Sequence, residues 1–304
     1  MSPLIARRNI GRMTCRSSTL TSHLPLACRQ YGATRPDVIV LHGGPAAPGC
    51  AGPLARGLAE HFDVLEPFQR GSAQGPVNVR RHIDDLEALL GCIAGKAGDG
   101  FRPALVGHSW GAQLALAFAA AHPYRVGSVA AVCSGTFDTA ARAEFIRLRR
   151  DRTTDEHRRR LDLLDKEDLP AAVRFQRRHE ITCSIYEYDP IETRPDARDD
   201  FGPLDLAAHE QTWNDFVRLQ DDGTYPAAFR SITCPVLMLH GAYDPHPGAV
   251  IRDGLLPHIP HMQYLEFSRC GHNPWNERHA REEFFTVLRR WMAMNTYLGN
   301  RNTE

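Results

Sequence analysis

Apolar and polar positions divide the chain into short apolar runs separated by amphipathic or helix-prone stretches. Asp37-Val-Ile-Val-Leu-His42, Phe62-Asp-Val-Leu-Glu-Pro-Phe68, Arg102-Pro-Ala-Leu-Val-Gly-His108, Val126 to Ser134, Cys234-Pro-Val-Leu-Met-Leu-His-Gly241 and His261 to Phe267 are runs of strand type. Thr19 to Tyr31 reads as a strand or hairpin, followed by a turn over Gly32 to Pro36. Helices are predicted over Pro53 to His61 and from about Asn78 to Ile93, where Ile83, Leu86, Leu89 and Leu90 form one stripe. A third covers Ala112 to His122, a run of strong helix formers stopped by Pro123. A closing helix, about Glu277 to Tyr297, stacks Phe284, Leu288 and Trp291. Strand and helix alternating in this way predict an α/β fold: a mostly parallel sheet with helices on both faces.

The rhythm stops at Gly135. Residues 136–206 are charged and helix-prone with no buried-strand run; Arg147 to Arg160 and Leu161 to His179 read as surface helices, and Tyr186 to Pro203 as a loop rich in Asp, Pro and Arg. Insertions at the C-terminal edge of a parallel sheet sit where ligands bind. The expected organisation is one domain, 1–135 and 207–304, with a helical cap inserted at 136–206. Residues 1 to about 18 read as a loose leader. Its arginines, serines and threonines and lack of acids before Asp37 faintly resemble an organellar presequence, but Leu24 to Tyr31 reads as a strand leading directly into the core.

Composition removes several function classes. Basic and acidic residues balance at 36 each, which gives no global attraction to nucleic acid or an anionic membrane. Lysine is confined to Lys96 and Lys166, so the abundance of arginine is chain-wide and no single arginine cluster reads as a patch. No apolar run approaches the roughly 18 residues of a membrane span. Eight cysteines are scattered without metal-ligand spacing, the usage of reduced thiols in a cytoplasmic protein.

The candidate chemistry centres on Gly107-His-Ser-Trp-Gly111, at the junction of a predicted strand and a predicted helix. A sharp strand-to-helix turn there would present Ser109 as a nucleophile, with glycines two residues either side because side chains would collide across the turn. A serine hydroxyl needs a base within hydrogen-bond reach, itself oriented by an acid. Asp244 and His272 each follow one of the last two predicted strands, in the order such a sheet requires, so they fall at the same sheet edge as Ser109. His108 adjoins the nucleophile but points the wrong way from an elbow, and His240 lies inside a strand end. The backbone N–H groups of Gly44 and Trp110 are the candidate oxyanion donors.

Together, His42-Gly-Gly-Pro, Gln69-Arg-Gly-Ser, Gly107-His-Ser-Trp-Gly, His240-Gly-Ala-Tyr-Asp and Cys270-Gly-His resemble an α/β-hydrolase of the prolyl aminopeptidase (proline iminopeptidase) group. The resemblance implies an eight-stranded sheet, a helical cap, a triad of Ser109, Asp244 and His272, and no metal or other cofactor. It departs from the group at Ala46, at Phe68 and Ala73, and in the cap, where Arg178-His-Glu-Ile-Thr-Cys retains only Glu180 as a candidate for binding a substrate amine. The expected activity is acyl-enzyme hydrolysis of a small ester, amide or N-terminal proline peptide, with no nucleic-acid or membrane partner. Acyl transfer, hydrolysis of a lactone or thioester, and a non-catalytic ligand receptor on the same fold are the alternatives. Oligomeric state is open.

Overall fold

Val38 and Val40 pack into one apolar cluster, and Ile39 and Leu41 into another. A strand presents alternate side chains to opposite faces, so an unbroken apolar run such as Val38–Leu41 requires cover on both sides. The computed structural model describes residues 18–21, 24–95, 100–192 and 204–299, and among these it supplies that cover. The predicted leader, 1 to about 18, lies almost wholly outside the described residues, as do residues 193–203 of the predicted 186–203 loop.

Eight strands form one sheet: β1 Ser18–Thr21, β2 Cys28–Tyr31, β3 Val38–Leu41, β4 Val64–Pro67, β5 Ala104–His108, β6 Ser128–Val132, β7 Val236–Gly241 and β8 Gln263–Phe267. Their spatial order is β1-β2-β4-β3-β5-β6-β7-β8. The β1–β2 and β2–β4 pairs are antiparallel and all the others parallel. Helix α1 (Gly52–Ala59) and the last helix, α10 (Arg281–Gly299), cover one face; α2 (Val79–Ala94) and α3 (Trp110–Ala121) cover the other. The predicted stripe of Ile83, Leu86, Leu89 and Leu90 is wholly buried on α2, and Phe284, Leu288 and Trp291 of α10 pack against Val38, Val106 and Leu239. Helix α3 is buried through its first ten residues, which explains its lack of a polar face.

Between β6 and β7 the chain leaves the sheet through α4 (Thr139–Arg152), α5 (Asp155–Leu164), α6 (Ala171–Thr182), α7 (Leu206–Asp221) and the short α8 (Thr224–Ala227); α9 (Gly248–Leu255) follows β7. The two cap helices predicted across 147–179 are three. Thr153, in extended conformation, ends α4, and Thr154 starts α5 by accepting from the His157 N–H, with the His157 side chain reaching back to the Thr154 N–H. Pro170, at the N-cap, sets the start of α6. Helix α7 returns to the sheet layer, where Phe216 meets the Trp110 indole edge-on at 5.4 Å.

Candidate active site

Ser109 is the single residue between β5 and α3, with φ 55° and ψ −119°. A side chain at positive φ is strained and persists only where the surroundings enforce it. Here they do. A Cβ on Gly107 would lie 2.1 Å from the Gly111 carbonyl oxygen, and one on Gly111 would lie 2.1 Å from the Leu41 carbonyl oxygen. The Ser109 N–H is held by the Val132 carbonyl at 3.0 Å. The hydroxyl is therefore carried by a turn pressed between β3 and β6, and the residue is half-buried.

Asp244 and His272 come from the turns after β7 and β8, which pair in parallel and so deliver both residues to one end of the sheet. His272 Nδ1 lies 2.6 Å from Asp244 Oδ2. With an ionised carboxylate as partner, Nδ1 carries the proton and donates, leaving the Nε2 lone pair as the basic site. Burial alone would push the Asp244 carboxyl up; the neighbouring His272 and His246 rings outweigh it and hold the group well below the ordinary carboxylate range.

The carboxylate's other oxygen is fully used. Asp244 Oδ1 accepts from the His246 backbone N–H and from His246 Nδ1, both at 2.9 Å. His246 in turn lies between Phe145, stacked at 4.2 Å, and His272, stacked at 4.8 Å. His240 donates from Nε2 to the His246 carbonyl at 2.9 Å. Sequence reasoning did not single out His246. A residue two positions after a turn aspartate commonly returns its N–H to that side chain, and that was the available signal.

His108 does not face the base position. It is buried and donates from Nε2 to the His272 carbonyl at 2.9 Å, with its ring 4.7 Å from the His272 ring. Burial drives its pKa well down, so it stays a neutral support.

Gly44 has φ 113° and is exposed in the turn after β3, while Trp110 opens α3. Gln69 links the chain just after β3, at His42, to Trp110. It donates from Nε2 to the His42 carbonyl at 2.9 Å and accepts from the Trp110 indole at 2.8 Å, and its N–H donates to His42 Nε2 at 3.0 Å. An N–H partner at Nε2 places the His42 proton on Nδ1, which donates to the Gly43 carbonyl at 2.9 Å. Burial lowers the His42 pKa to about 4, so that tautomer is neutral.

The loop carrying His272 is tied to the segment that follows α6. Glu277, 1% exposed, accepts 2.8 Å hydrogen bonds from the N–H groups of Gly271, Tyr188 and Asp189. The His272 N–H donates to the Tyr186 carbonyl at 2.7 Å, and the Tyr186 ring stands 5.7 Å from the His272 ring. Glu180 is placed differently. It is exposed on α6, accepts from Gln176 Nε2 at 3.2 Å and lines a groove with Leu163, Leu164 and Arg177 between α5 and α6. The structure thus gathers Ser109, Asp244, His272, Gly44 and Trp110 at one end of the sheet, and gives Glu180 no contact with them.

Among the described residues, two donor sets could offer metal ligands: Cys133, His240 and Asp244, and Asp244, His246 and His272, each with donor atoms within 4.8 Å of one another. Hydrogen bonds already account for the second set, and burial pushes the Cys133 thiol well up, away from the thiolate a metal prefers. No described helix is long and apolar enough to cross a membrane.

A parallel sheet with a strained serine elbow and an Asp–His pair at the following strand ends defines a class. The family model described as the alpha/beta hydrolase fold matches residues 36–275, and the chain belongs to that family. Similar solved structures include VinJ, at 17% identity and TM-score 0.63, covering 92% of this chain and 99% of that one. A proline iminopeptidase from Mycobacterium smegmatis is 18% identical with TM-score 0.56, covering 93% of this chain and 99% of that one. E-2-(acetamidomethylene)succinate hydrolase is 20% identical with TM-score 0.59, covering 91% of this chain and 99% of that one. At these identities the likeness is one of fold. Among curated proteins no sequence matches the chain.

Proposed function

We propose that the protein is a serine hydrolase that forms an acyl-enzyme on Ser109. The observation that carries this reading is the 2.6 Å bond between His272 Nδ1 and Asp244, at the same sheet end as a serine held at φ 55°. His272 Nε2 takes the hydroxyl proton as Ser109 Oγ bonds to the substrate carbonyl carbon. The oxyanion that develops is met by the N–H groups of Gly44 and Trp110. The tetrahedral intermediate then expels the alcohol or amine, which receives that proton from His272. A water, deprotonated by the same nitrogen, attacks the acyl carbon and returns the Ser109 hydroxyl.

The substrate is a small ester or amide. The N-terminal proline reading needs a carboxylate to hold the substrate amine, and Glu180 lies in the groove between α5 and α6. A fluorophosphonate probe should label Ser109 in the folded protein. Ser109→Ala should abolish labelling and lower hydrolysis of p-nitrophenyl esters by at least about a thousandfold. Unchanged turnover in that variant removes the assignment.

A further inference from the structure

We infer that Arg149 is a substrate-binding residue and that the preferred substrates carry a carboxylate. This rests on the serine-hydrolase reading above and names the substrate class of that same site.

Arg149 sits in the last turn of α4. Its guanidinium lies 5.3 Å from the centre of the Phe145 ring and 5.8 Å from that of Tyr186. Both rings connect to His272: Tyr186 is 5.7 Å from the His272 ring, and Phe145 stacks on His246, which stacks on His272. The cation thus rests against two rings, one standing against the His272 ring and the other reaching it through His246. Cation–π contacts orient a guanidinium but leave its in-plane N–H donors unused.

Among the described residues no side chain forms an ion pair with them. Most cap arginines are matched with an acid: Arg147 with Glu144 and Asp151, Arg158 with Asp155, Arg159 with Glu156, Arg177 with Glu167. Among the described residues Arg149 has no ion pair, and its Nε is buried without a hydrogen-bond partner. The acids on adjacent elements are engaged elsewhere, Asp244 with three histidines and Glu277 with three backbone N–H groups. Glu187, on the segment after Tyr186, has its carboxyl pushed up by burial and then by Glu277, and Arg149 is not among the groups that shift it. The neighbouring group on α6 is His179, whose pKa is lowered by burial first and then by His272 and Arg149.

Among the described residues, the charge on this aromatic cluster beside His272 is therefore positive and without an ion-pair partner, with planar donors suited to bidentate recognition. A carboxylate on the substrate supplies the missing acceptor. A substrate presenting a free amine on this side would meet Arg149 as a like charge.

The test measures protection of Ser109 from fluorophosphonate labelling by glutarate and by its uncharged diamide, together with kcat/KM for mono-p-nitrophenyl glutarate and p-nitrophenyl valerate. In the wild-type protein glutarate should protect where the diamide does not, and the anionic ester should be preferred. Arg149→Gln should cut the anionic-to-neutral ratio by roughly 10- to 100-fold, the range for a hydrogen bond to a charged group, with partial recovery in Arg149→Lys. Added salt should also reduce the ratio. Equal protection by the two compounds, or a parallel loss on both esters in Arg149→Gln, overturns the proposal. A protein that is not labelled at Ser109 overturns the hydrolase reading instead, so the two failures are distinct.

Discussion

The elbow depends on two absent side chains. Gly107 and Gly111 each place backbone where a Cβ would come within 2.1 Å of a carbonyl oxygen, and neither obstacle is a movable side chain. Gly107→Ala should cost more than about 3 kcal/mol, beyond the usual range for overpacking, because a strand and a helix must separate. Gly91 supplies the contrast. It lies exposed within α2 and a Cβ there meets nothing within 4 Å, so Gly91→Ala should stabilise by about 0.5–1 kcal/mol. Urea denaturation of the two variants checks both signs. The need for glycine at 107 and 111 was legible from the pentapeptide, because the steric cause is local. The two bonds from His246 to Asp244 were not singled out, although the turn chemistry is local too.

Between elements, the decisive connection is the one from the segment after α6 to the loop after β8. Glu277 gathers N–H groups from Gly271 on one side and from Tyr188 and Asp189 on the other, so a single buried carboxylate fixes where the His272 loop sits against the segment leaving the cap. Glu277→Gln keeps the size but turns one acceptor oxygen into a donor facing N–H groups. It should cost about 1–3 kcal/mol in stability and, by loosening the position of His272, lower kcat by roughly 10- to 100-fold with a smaller effect on KM. Steady-state kinetics beside thermal unfolding distinguishes this positioning role from simple destabilisation, which leaves kcat per folded molecule unchanged. In sequence Glu277 is one acid at the predicted start of a helix. Two of its three partners lie 88 and 89 positions away, and no local pattern carries that information.

At the scale of the whole molecule, buried neutral histidines set the acid response. Burial lowers the pKa of both His42 and His82 to about 4, against an unfolded value near 6.5. Between those limits the unfolded chain binds more protons than the folded one, so stability falls as pH drops from about 6.5 to about 4. Each residue contributes about 3 kcal/mol over that window. Below about pH 4 the loss of the Asp244 charge adds a further decrease, since its carboxyl is held low by His272 and His246. The melting temperature should decline steadily from pH 7 to pH 4.5. His82→Gln, which can retain a bond to Thr212, should flatten that slope while costing some stability at pH 7. An equal slope in the variant rejects the assignment of this acid sensitivity to His82.

The sequence by itself determined the alternation of strand and helix, the two-sided burial of the central strands, and the strand ends that carry Ser109, Asp244 and His272. These follow from periodicity and chain order, which are local or one-dimensional properties. It also marked residues 136–206 as different in kind, but read two long cap helices where Thr154 and Pro170 divide the segment into three. Tertiary structure alone decided which cap residues meet the site. It turned Glu180 toward α5, brought His179 and Arg149 to the side of His272, and closed the second oxygen of Asp244 with His246. The facing of a mostly polar helix is set by what packs beneath it, and charged residues distributed around its circumference leave no hydrophobic stripe from which to read that facing in advance.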